Sequence, residues 1–335
     1  MSASMPELPP LITPAAQSRC VAWHSSHWEH MSTLFAKARL PHAMLLEGQP
    51  GTGRNRLALT LARYLLCSDR GALGNCGNCK TCTLSASGAH PDLLTVTPAE
   101  AGKAIGIDAI RQALRFATGT PTLGKQKVLL ISPAESLTAA AHNAFLKCLE
   151  EPSPETFIVL VSASGHPLPA TIRSRCQRWH LVSPNASLSR DWLLAALGAD
   201  APGHVSQMVE PMLELCAGRP LEALRKLQDG NGEALISVHA AATRVLLGEE
   251  RGTQKFELAA ANTEPELVLD VVEQTLRSWL RSLPVATLRS RQGHRGFAAL
   301  QTIERLRSAK RSGTNPNADL LRFTVMSAIA GLWDK

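Results

Sequence analysis

Short apolar runs alternate with amphipathic segments along the first half of the chain. Four runs have the length and composition of strands, namely 43–46, 93–96, 128–131 and 156–161. The segments between them carry apolar residues at three- and four-residue spacing, which is typical of helices that bury one face. This alternation predicts an α/β domain in which helices cover a parallel sheet.

From Pro184 onward the pattern changes to helical spacing almost throughout. Helices are predicted over 187–197 and 205–217, and a third begins after Gly218. Residues 232–335 are also predicted to be helical and contain no glycine-rich or metal-binding motif. The change of pattern predicts more than one domain, as the length of 335 residues also indicates.

Composition indicates the class of protein. Apolar residues make up 44% and charged residues 19% of the chain, which is typical of a globular protein. Apolar runs such as 157–161 are far too short to span a membrane. Residues 1–18 lack the basic start and long apolar core of a signal peptide, so we predict a disordered tail and a cytoplasmic protein. A net charge of +7 is compatible with an acidic partner but does not by itself indicate one.

The segment 48–55 has the spacing of a phosphate-binding loop. It follows the predicted strand 43–46 and precedes a helical pattern at 57–64, an order that places backbone N–H groups around a phosphate. The motif requires Lys and then Ser or Thr, which reach the phosphates and Mg²⁺, but Arg54 and Asn55 stand there. The candidate loop residues are Gly48, Gly51, Gly53, Arg54 and Asn55.

The strand 128–131 shows a second departure from nucleotide chemistry. In ATPases with such a loop, a comparable strand ends in an Asp that holds the Mg²⁺ shell, followed by a Glu that polarises water. Ser132 and Pro133 occupy these two places. Glu135 lies two residues further on, where we expect it to face the loop only by accident of the turn. Two independent losses predict a loop that keeps its backbone shape without binding or hydrolysing ATP.

Four of the eight cysteines are clustered in the pattern C-x8-C-x2-C-x2-C. Two residues between cysteines let both thiolates reach one metal ion, and Gly77 and Asn78 suit the tight turn. Four thiolates favour a structural zinc site that is filled by protein and has no open position for catalysis. An iron–sulfur cluster and a redox C-x-x-C pair are the alternative interpretations. The predicted ligands are Cys67, Cys76, Cys79 and Cys82.

A short basic turn contains Ser174-Arg175-Cys176 between Arg173 and Arg178. From the residues alone, a turn of this kind caps a helix end or forms an ion pair with a neighbouring element. Arginine at an exposed turn can also bind a phosphate group, because its planar fork matches two phosphate oxygens.

The helical segment 271–312 carries nine basic residues, with Glu273 and Glu304 as its acidic ones. That balance is compatible with a DNA-binding face. A solvated helix surface is the more common cause, and aromatic residues suited to base stacking are sparse here. The basic residues are Arg277, Arg281, Arg289, Arg291, Arg295, Arg305, Arg307, Lys310 and Arg311.

Several motifs together resemble the bacterial clamp-loader branch of the AAA+ ATPases. They are P-H-A-M-L-L-E-G at 41–48, the cysteine pattern at 67–82, N-A-F-L-K-C-L-E-E-P at 143–152 and I-R-S-R-C at 172–176. The similar region spans roughly residues 20–228. Within this branch, the subunits that do not hydrolyse ATP combine a cysteine knuckle with altered nucleotide-binding residues, and this chain resembles those subunits. The resemblance implies an AAA+ fold, with a parallel sheet and flanking helices.

The resemblance also implies a role for Arg175. In this branch, the arginine of the Ser-Arg-Cys motif, here Ser174-Arg175-Cys176, is a finger that reaches the ATP site of an adjacent subunit. Arginine suits this role because it stays charged and stabilises the charge that grows on the γ-phosphate. Active relatives carry a second, nucleotide-sensing arginine on a later helix. Leu221 stands at that place, and Arg219 lies off the pattern.

Members of this branch have a core, a small helical lid and an all-helical C-terminal collar that holds the subunits together. The collar helices of this chain could serve such packing or only the core of their own domain. The expected parts are a tail at 1–18, an AAA+ core at 19–183 with its cysteine knuckle at 67–82, a lid at 184–230 and a collar at 231–335.

The partners implied are gamma or tau motor subunits and a delta subunit in a heteropentamer, which loads a sliding clamp on primer–template DNA during replication. The chain would be a non-hydrolysing subunit of the DNA polymerase (nucleotidyltransferase) holoenzyme, without an active site of its own but contributing to ATP hydrolysis by its neighbours. The expected cofactor is structural Zn²⁺, with no ATP bound by this subunit and no membrane contact. An active ATPase motor subunit, with Arg54 in place of lysine, and a zinc-dependent DNA-binding protein are the alternatives.

Overall fold

The computed structural model describes most of the chain, namely residues 17–100, 102–151, 153–165, 168–198, 203–249, 251–311 and 317–333. For Ser308, Lys310 and Arg311 only the backbone is described, and not the side chain. The predicted tail lies outside it as well, except for its last two residues. Of these, Ser18 is buried, and its N–H donates to Asn75 Oδ1 at 2.8 Å. Ser18 is therefore part of the folded domain and not of a tail. Pro152 of the 143–152 motif is also outside the described residues.

The chain divides into two compact units, Met1–Ser183 and Pro184–Lys335. The first unit is built on a five-stranded parallel sheet with the spatial order β2-β3-β4-β1-β5. In its centre, Leu45 lies opposite Leu160 on one side and Arg178 on the other. The strands are β1 (Ala43–Gly48), β2 (Leu93–Val96), β3 (Lys127–Ile131), β4 (Thr156–Ala163) and β5 (Gln177–His180).

The four predicted strands are confirmed, and β5 is an additional strand. The central strands are apolar because helices cover both faces of the sheet. Leu45 and Leu129 pack in a cluster with residues of helices on one face, and Leu46 and Leu130 pack in a second cluster on the other. All four are fully buried, and each contributes about 1.5–3 kcal/mol through removal from water.

The helices of the first unit lie on both sides of this sheet. Two 3₁₀ turns, Ala22–His24 and Ala134–Ser136, accompany them. Thr138 begins one helix by accepting a hydrogen bond from the N–H of Ala141 at 3.2 Å, which satisfies one of the free N–H groups of its first turn. The helices are α1 (Ser25–Ala36), α2 (Arg54–Leu66), α3 (Lys80–Ala86), α4 (Ile107–Thr118), α5 (Ala139–Glu150) and α6 (Ala170–Arg173).

The described part of the second unit is helical. The prediction of one helix over 205–217 is wrong, because the chain forms two shorter helices on either side of Met208. Across the described residues, no helix is both long and apolar enough to cross a membrane. The helices are α7 (Ala186–Leu197), α8 (Gly203–Gln207), α9 (Val209–Leu215), α10 (Pro220–Gln228), α11 (Gly232–Leu246), α12 (Gly252–Ala261), α13 (Pro265–Ser282), α14 (Val285–Leu288), α15 (Arg291–Arg311) and α16 (Ala318–Ala330).

One hydrophobic cluster runs through the second unit. It joins Leu193 of α7 and Met212 of α9 to Val238, Val272 and Val325 of the later helices. Residues of the predicted lid and of the predicted collar therefore share one core. The boundary between these two parts near residue 230 stays a prediction.

Candidate functional site

The glycine-rich loop connects the end of β1 with the start of α2. Gly51 and Gly53 have φ angles of 78° and 94°, in the left-handed region that favours glycine. A Cβ on Gly53 would also lie 3.0 Å from Val21 Cγ2. The indole of Trp23 donates to the carbonyl of Thr52 at 2.7 Å and closes the loop from outside. The backbone of a phosphate loop is thus present and firmly packed.

Arg54 occupies the place of the catalytic lysine, but its side chain folds back on the loop. Its Nη1 donates to the carbonyl oxygen of Gly48 at 3.2 Å. Burial lowers the pKa of Arg54, and the nearby carboxylate of Glu135 acts in the opposite direction. Arg54 is therefore engaged with its own loop and with a neighbouring acid.

Glu135 faces the loop region. The sequence predicted the loop but not this orientation of Glu135. The 3₁₀ turn that contains Glu135 follows β3 directly and brings the carboxylate to the end of β4, where Oε1 accepts a hydrogen bond from the N–H of Ala163 at 3.1 Å. Its Oε2 is buried without a hydrogen-bond partner in the described part of the chain. The carboxylate serves as a partner for the sheet end and for Arg54.

Asn55 and Ser132 stand where an ATPase carries its two protein ligands for the Mg²⁺ shell. The hydroxyl of Ser132 donates to Asn55 Oδ1 at 2.9 Å, so the two side chains bond each other directly. Neither carries a charge, whereas Mg²⁺ in nucleotide sites is held through carboxylates and phosphates. Asn55 and Ser132 therefore offer no carboxylate ligand to a Mg²⁺ ion.

The four clustered cysteines meet in space around a single point. Their sulfur atoms all lie within 4.8 Å of one another, and the distance from Cys67 Sγ is 3.8 Å to Cys79 Sγ and 3.6 Å to Cys82 Sγ. The fourth sulfur, Cys76 Sγ, lies 3.9 Å from Cys82 Sγ. A tetrahedral ion with metal–sulfur bonds of about 2.3 Å holds its sulfurs about 3.8 Å apart. The four residues could therefore hold one metal ion.

The protonation of these thiols differs from one to the next. Burial raises the pKa of Cys67 to about 12. Burial also raises that of Cys79, but hydrogen bonds from Ser68 and Thr81 outweigh it and lower the pKa of Cys79 to about 5. A bound metal ion deprotonates all of its thiol ligands, whatever their own pKa.

Polar side chains surround the cysteine centre. Asn75 Nδ2 donates to Cys82 Sγ at 3.0 Å, and both residues are buried. The guanidinium of Arg63, also buried, donates to Ser18 Oγ at 2.6 Å and interacts electrostatically with Cys82. A donor and a cation beside a buried sulfur favour its thiolate form, which is the form that binds a metal.

Arg175 follows α6 and precedes β5, at the surface of the first unit. Its Nε donates to Glu150 Oε1 at 2.7 Å and its Nη1 to the carbonyl of Thr171 at 3.0 Å. The side chain of Arg175 is 33% exposed to solvent. The ion pair expected of a basic turn is therefore present, with Glu150 of α5 as its partner.

The other members of the basic turn have structural roles. Cys176 is buried, and burial raises its pKa to about 12, so its thiol is a core group. Ser174 is exposed, and its hydroxyl donates to the carbonyl of Thr171 at 3.2 Å. Arg178 lies on β5 and donates to Glu47 Oε2 at 2.9 Å.

The sensor position in the second unit holds no arginine. Leu221 lies in the first turn of α10 and is half-buried. Arg219 precedes the helix, and its Nε donates to the carbonyl of Cys216 at 2.6 Å. Arg219 is thus used to hold the end of α9.

Comparison with known proteins gives consistent relatives. A family model described as "DNA polymerase III, delta subunit" matches residues 23–185. A DNA polymerase III subunit delta' of Pseudomonas aeruginosa is 41% identical over 203 residues, which are 61% of this chain and 60% of that relative. A DNA polymerase III subunit delta' of Yersinia pestis is 32% identical over 280 residues, which are 83% and 79% of the two chains.

The fold has a counterpart among solved structures. A DNA polymerase III gamma subunit-related protein from Thermotoga maritima matches with a TM-score of 0.51 at 21% identity, covering 90% of this chain and 98% of the other. That likeness confirms the predicted α/β architecture with its helical C-terminal part. The match to the Pseudomonas relative spans less than two thirds of that protein, whereas the match to the Yersinia relative spans 79% of it. On this evidence the chain belongs to the DNA polymerase III subunit delta' family.

Proposed function

We propose that this chain is a non-hydrolysing subunit of a clamp loader and that it supplies Arg175 to the nucleotide site of an adjacent subunit. The observation that carries the proposal is the direct hydrogen bond between Ser132 and Asn55, which occupies the place of the Mg²⁺ ligands. With Arg54 bonded to the carbonyl of Gly48, the chain's own loop has no group free to act on a γ-phosphate. The alternative of an active ATPase has no support in this geometry.

Arg175 has the properties that a finger residue requires. Its guanidinium is partly exposed and donates hydrogen bonds to a surface carboxylate and to a backbone carbonyl. A guanidinium has five N–H donors, so Arg175 can bind phosphate oxygens at a neighbouring subunit while Glu150 continues to hold its orientation. In the transition state the arginine would stabilise the charge that develops on the transferred phosphoryl group.

The proposed partners are those of a clamp loader: gamma or tau motor subunits and a delta subunit, with the sliding clamp and primer–template DNA as the objects of the reaction. Membership in the delta' family supports this assignment. The chain would contribute architecture and one catalytic group, while the motor subunits bind and hydrolyse ATP.

Reconstitution of the assembly tests this role. Arg175→Ala is expected to lower the DNA-stimulated ATPase rate by at most about 10³-fold at each site that receives the finger. Arg175→Lys is expected to keep only part of the rate of the unchanged chain, because a lysine cannot form the planar fork. Arg39→Ala serves as the control, since Arg39 is an exposed arginine of the same unit. An unchanged rate in an intact Arg175→Ala assembly would exclude the proposed finger.

We also infer that the cysteine centre holds a structural zinc ion. The sulfur spacing fits one tetrahedral ion, and an iron–sulfur cluster would need its cysteines spread around more than one metal. With four protein ligands, the ion would stabilise the segment between α2 and α3 without taking part in a reaction. Metal analysis of the purified chain is expected to find about one zinc per chain and no acid-labile sulfide.

A further inference from the structure

The helical hairpin of α13, α14 and α15 carries many arginines and few acids. The sequence between Glu273 and Glu304 contains five arginines and no Asp or Glu. Two groups of arginines can be distinguished in the hairpin, one in its middle, with Arg277 and Arg307, and one at its end.

The arginines in the middle are used for packing. Arg277 Nε donates to Glu273 Oε1 at 2.9 Å, and Arg307 Nη1 lies 2.7 Å from Glu273 Oε2. Glu273 is buried, and Arg277 also pairs with Glu304 on the facing helix. This network joins α13 to α15, so Arg277 and Arg307 do not belong to a binding surface.

The arginines at the end are exposed and fall within eleven residues of the chain, where α14 connects α13 to α15. Arg281 is in the last turn of α13, Arg289 follows α14, and Arg291 begins α15. All three are exposed. The connection is closely packed, because a Cβ on Gly293 of α15 would clash with the carbonyl oxygen of Leu288 in α14. We call these three residues the basic hairpin end.

Helix stability accounts for Arg281 but not for Arg291. A cation in the last turn of a helix is favourable, whereas a cation at the first residue opposes the positive end of the helix dipole. The first turn of α15, a helix of 21 residues, contains no acidic residue that would offset this. Arg291 therefore costs folding energy where it stands, and a bound anion would be stabilised by the arginines and the dipole together.

The same face of α15 continues with basic and aromatic character. His294 and Arg295 follow Arg291 at three- and four-residue spacing and share its side of the helix. His294 is exposed, and its ring can stack on a base. Arginines in succession, without lysine and without acidic neighbours, match the regular charges of a nucleic-acid backbone.

We propose that the basic hairpin end binds the phosphate backbone of DNA, as a contact site in the second unit that is independent of Arg175. Recognition would be by charge and not by sequence, because guanidinium groups on phosphates carry no base information. The site would hold DNA to the chain whether or not a neighbour's ATP is being hydrolysed.

The test uses the full chain and a labelled single strand of DNA, with fluorescence anisotropy over a range of salt concentrations. Arg289→Ala/Arg291→Ala is expected to weaken binding and to make the slope of log affinity against log salt shallower by about 1.4, for two lost phosphate contacts. Alanine at these positions does not oppose the helix dipole, so the variant is expected to stay folded.

The matched control is Arg251→Ala/Lys255→Ala, which removes the same charge from two exposed residues of the second unit. It is expected to bind DNA like the unchanged chain. Equal effects of the two variants would show a general charge effect and overturn the proposal, as would unchanged DNA binding by Arg289→Ala/Arg291→Ala. If that variant bound DNA normally but failed to enter the clamp-loader assembly, the surface would serve an acidic protein partner instead.

Discussion

Ser132 and Asn55 bond each other across the phosphate loop, with 2.9 Å between Ser132 Oγ and Asn55 Oδ1. Ser132 directly follows β3 and Asn55 lies in the first turn of α2, so the bond ties the sheet to the helix that the loop introduces. In an ATPase the metal shell and its nucleotide make this connection. Here two uncharged side chains make it by a direct hydrogen bond, which gives the altered loop a role in stability.

We therefore predict that Ser132→Ala destabilises the chain without affecting catalysis by the assembly. Loss of the bond leaves Asn55 Oδ1 without this donor and is expected to lower the free energy of unfolding by about 0.5–1.5 kcal/mol. Urea unfolding measures this cost, with Ser26→Ala, an exposed serine of α1, as the control. A DNA-stimulated ATPase rate that fell with Ser132→Ala would contradict the scaffold role.

Glu150 is predicted to position Arg175. Removing the carboxylate with Glu150→Gln leaves the arginine held by the carbonyl of Thr171, so it spends less time in its observed orientation. Because the pair is partly exposed, its contribution is at most about 1 kcal/mol, and the ATPase rate of the assembly is expected to fall by up to about 5-fold.

The control for this change is Glu151→Gln, since Glu151 is an exposed neighbour. A double variant with Arg175→Ala should be no slower than Arg175→Ala alone if Glu150 acts through the arginine. An additive loss would show that Glu150 has a role of its own.

The strands show what the sequence pattern could and could not predict. Strands β1 to β4 were predictable because they contain apolar runs, most of which are buried on both faces of the sheet. Strand β5 lies at the sheet edge, where Gln177 and His180 are exposed and Trp179 is buried. Such a short strand has no apolar run to identify it.

The site shows a similar limit. The spacing of the cysteines predicted a cluster that the structure brings together, because the ligands are close in sequence. Glu135 and Glu150 were not assigned partners, because each meets its arginine from another element of the fold. Contacts of this kind depend on how helices and strands pack, and one sequence does not specify them.

Asn75 is predicted to tighten metal binding by the cysteine centre. Its side chain donates to Cys82 Sγ at 3.0 Å and fixes the sulfur that two other cysteines approach. Asn75→Ala is expected to weaken zinc binding by about 10- to 100-fold, as is usual when a partner of a metal ligand is lost. Competition with a chromophoric chelator measures this change.

Asn78→Ala provides the comparison, since Asn78 is an exposed residue of the same knuckle. Asn78→Ala is expected to bind zinc as tightly as the unchanged chain does. Equal zinc affinity in Asn75→Ala and Asn78→Ala would show that the hydrogen bond to the sulfur does not contribute.

His24 is predicted to make stability depend on pH below neutrality. Its side chain is fully buried beside the loop, and burial lowers the pKa of His24 to about 4, with His27 acting in the same direction. In the unfolded chain the pKa is about 6.5, so between these values the unfolded state binds more protons. The contribution of neutral His24 is therefore complete above about pH 6.5 and is lost as the pH falls toward 4.

Burial lowers the pKa of three other histidines, His90, His142 and His239, so replacing one residue removes only part of the effect. We expect the urea midpoint of the unchanged chain to fall between about pH 7.5 and about pH 5, and that of His24→Leu to fall less, because leucine does not titrate. His204→Leu, at an exposed histidine, should retain the full difference. The same pH dependence in His24→Leu as in the unchanged chain would place the titrating groups elsewhere. A smaller dependence assigns part of the acid sensitivity to the 3₁₀ turn Ala22–His24, which packs on the phosphate loop.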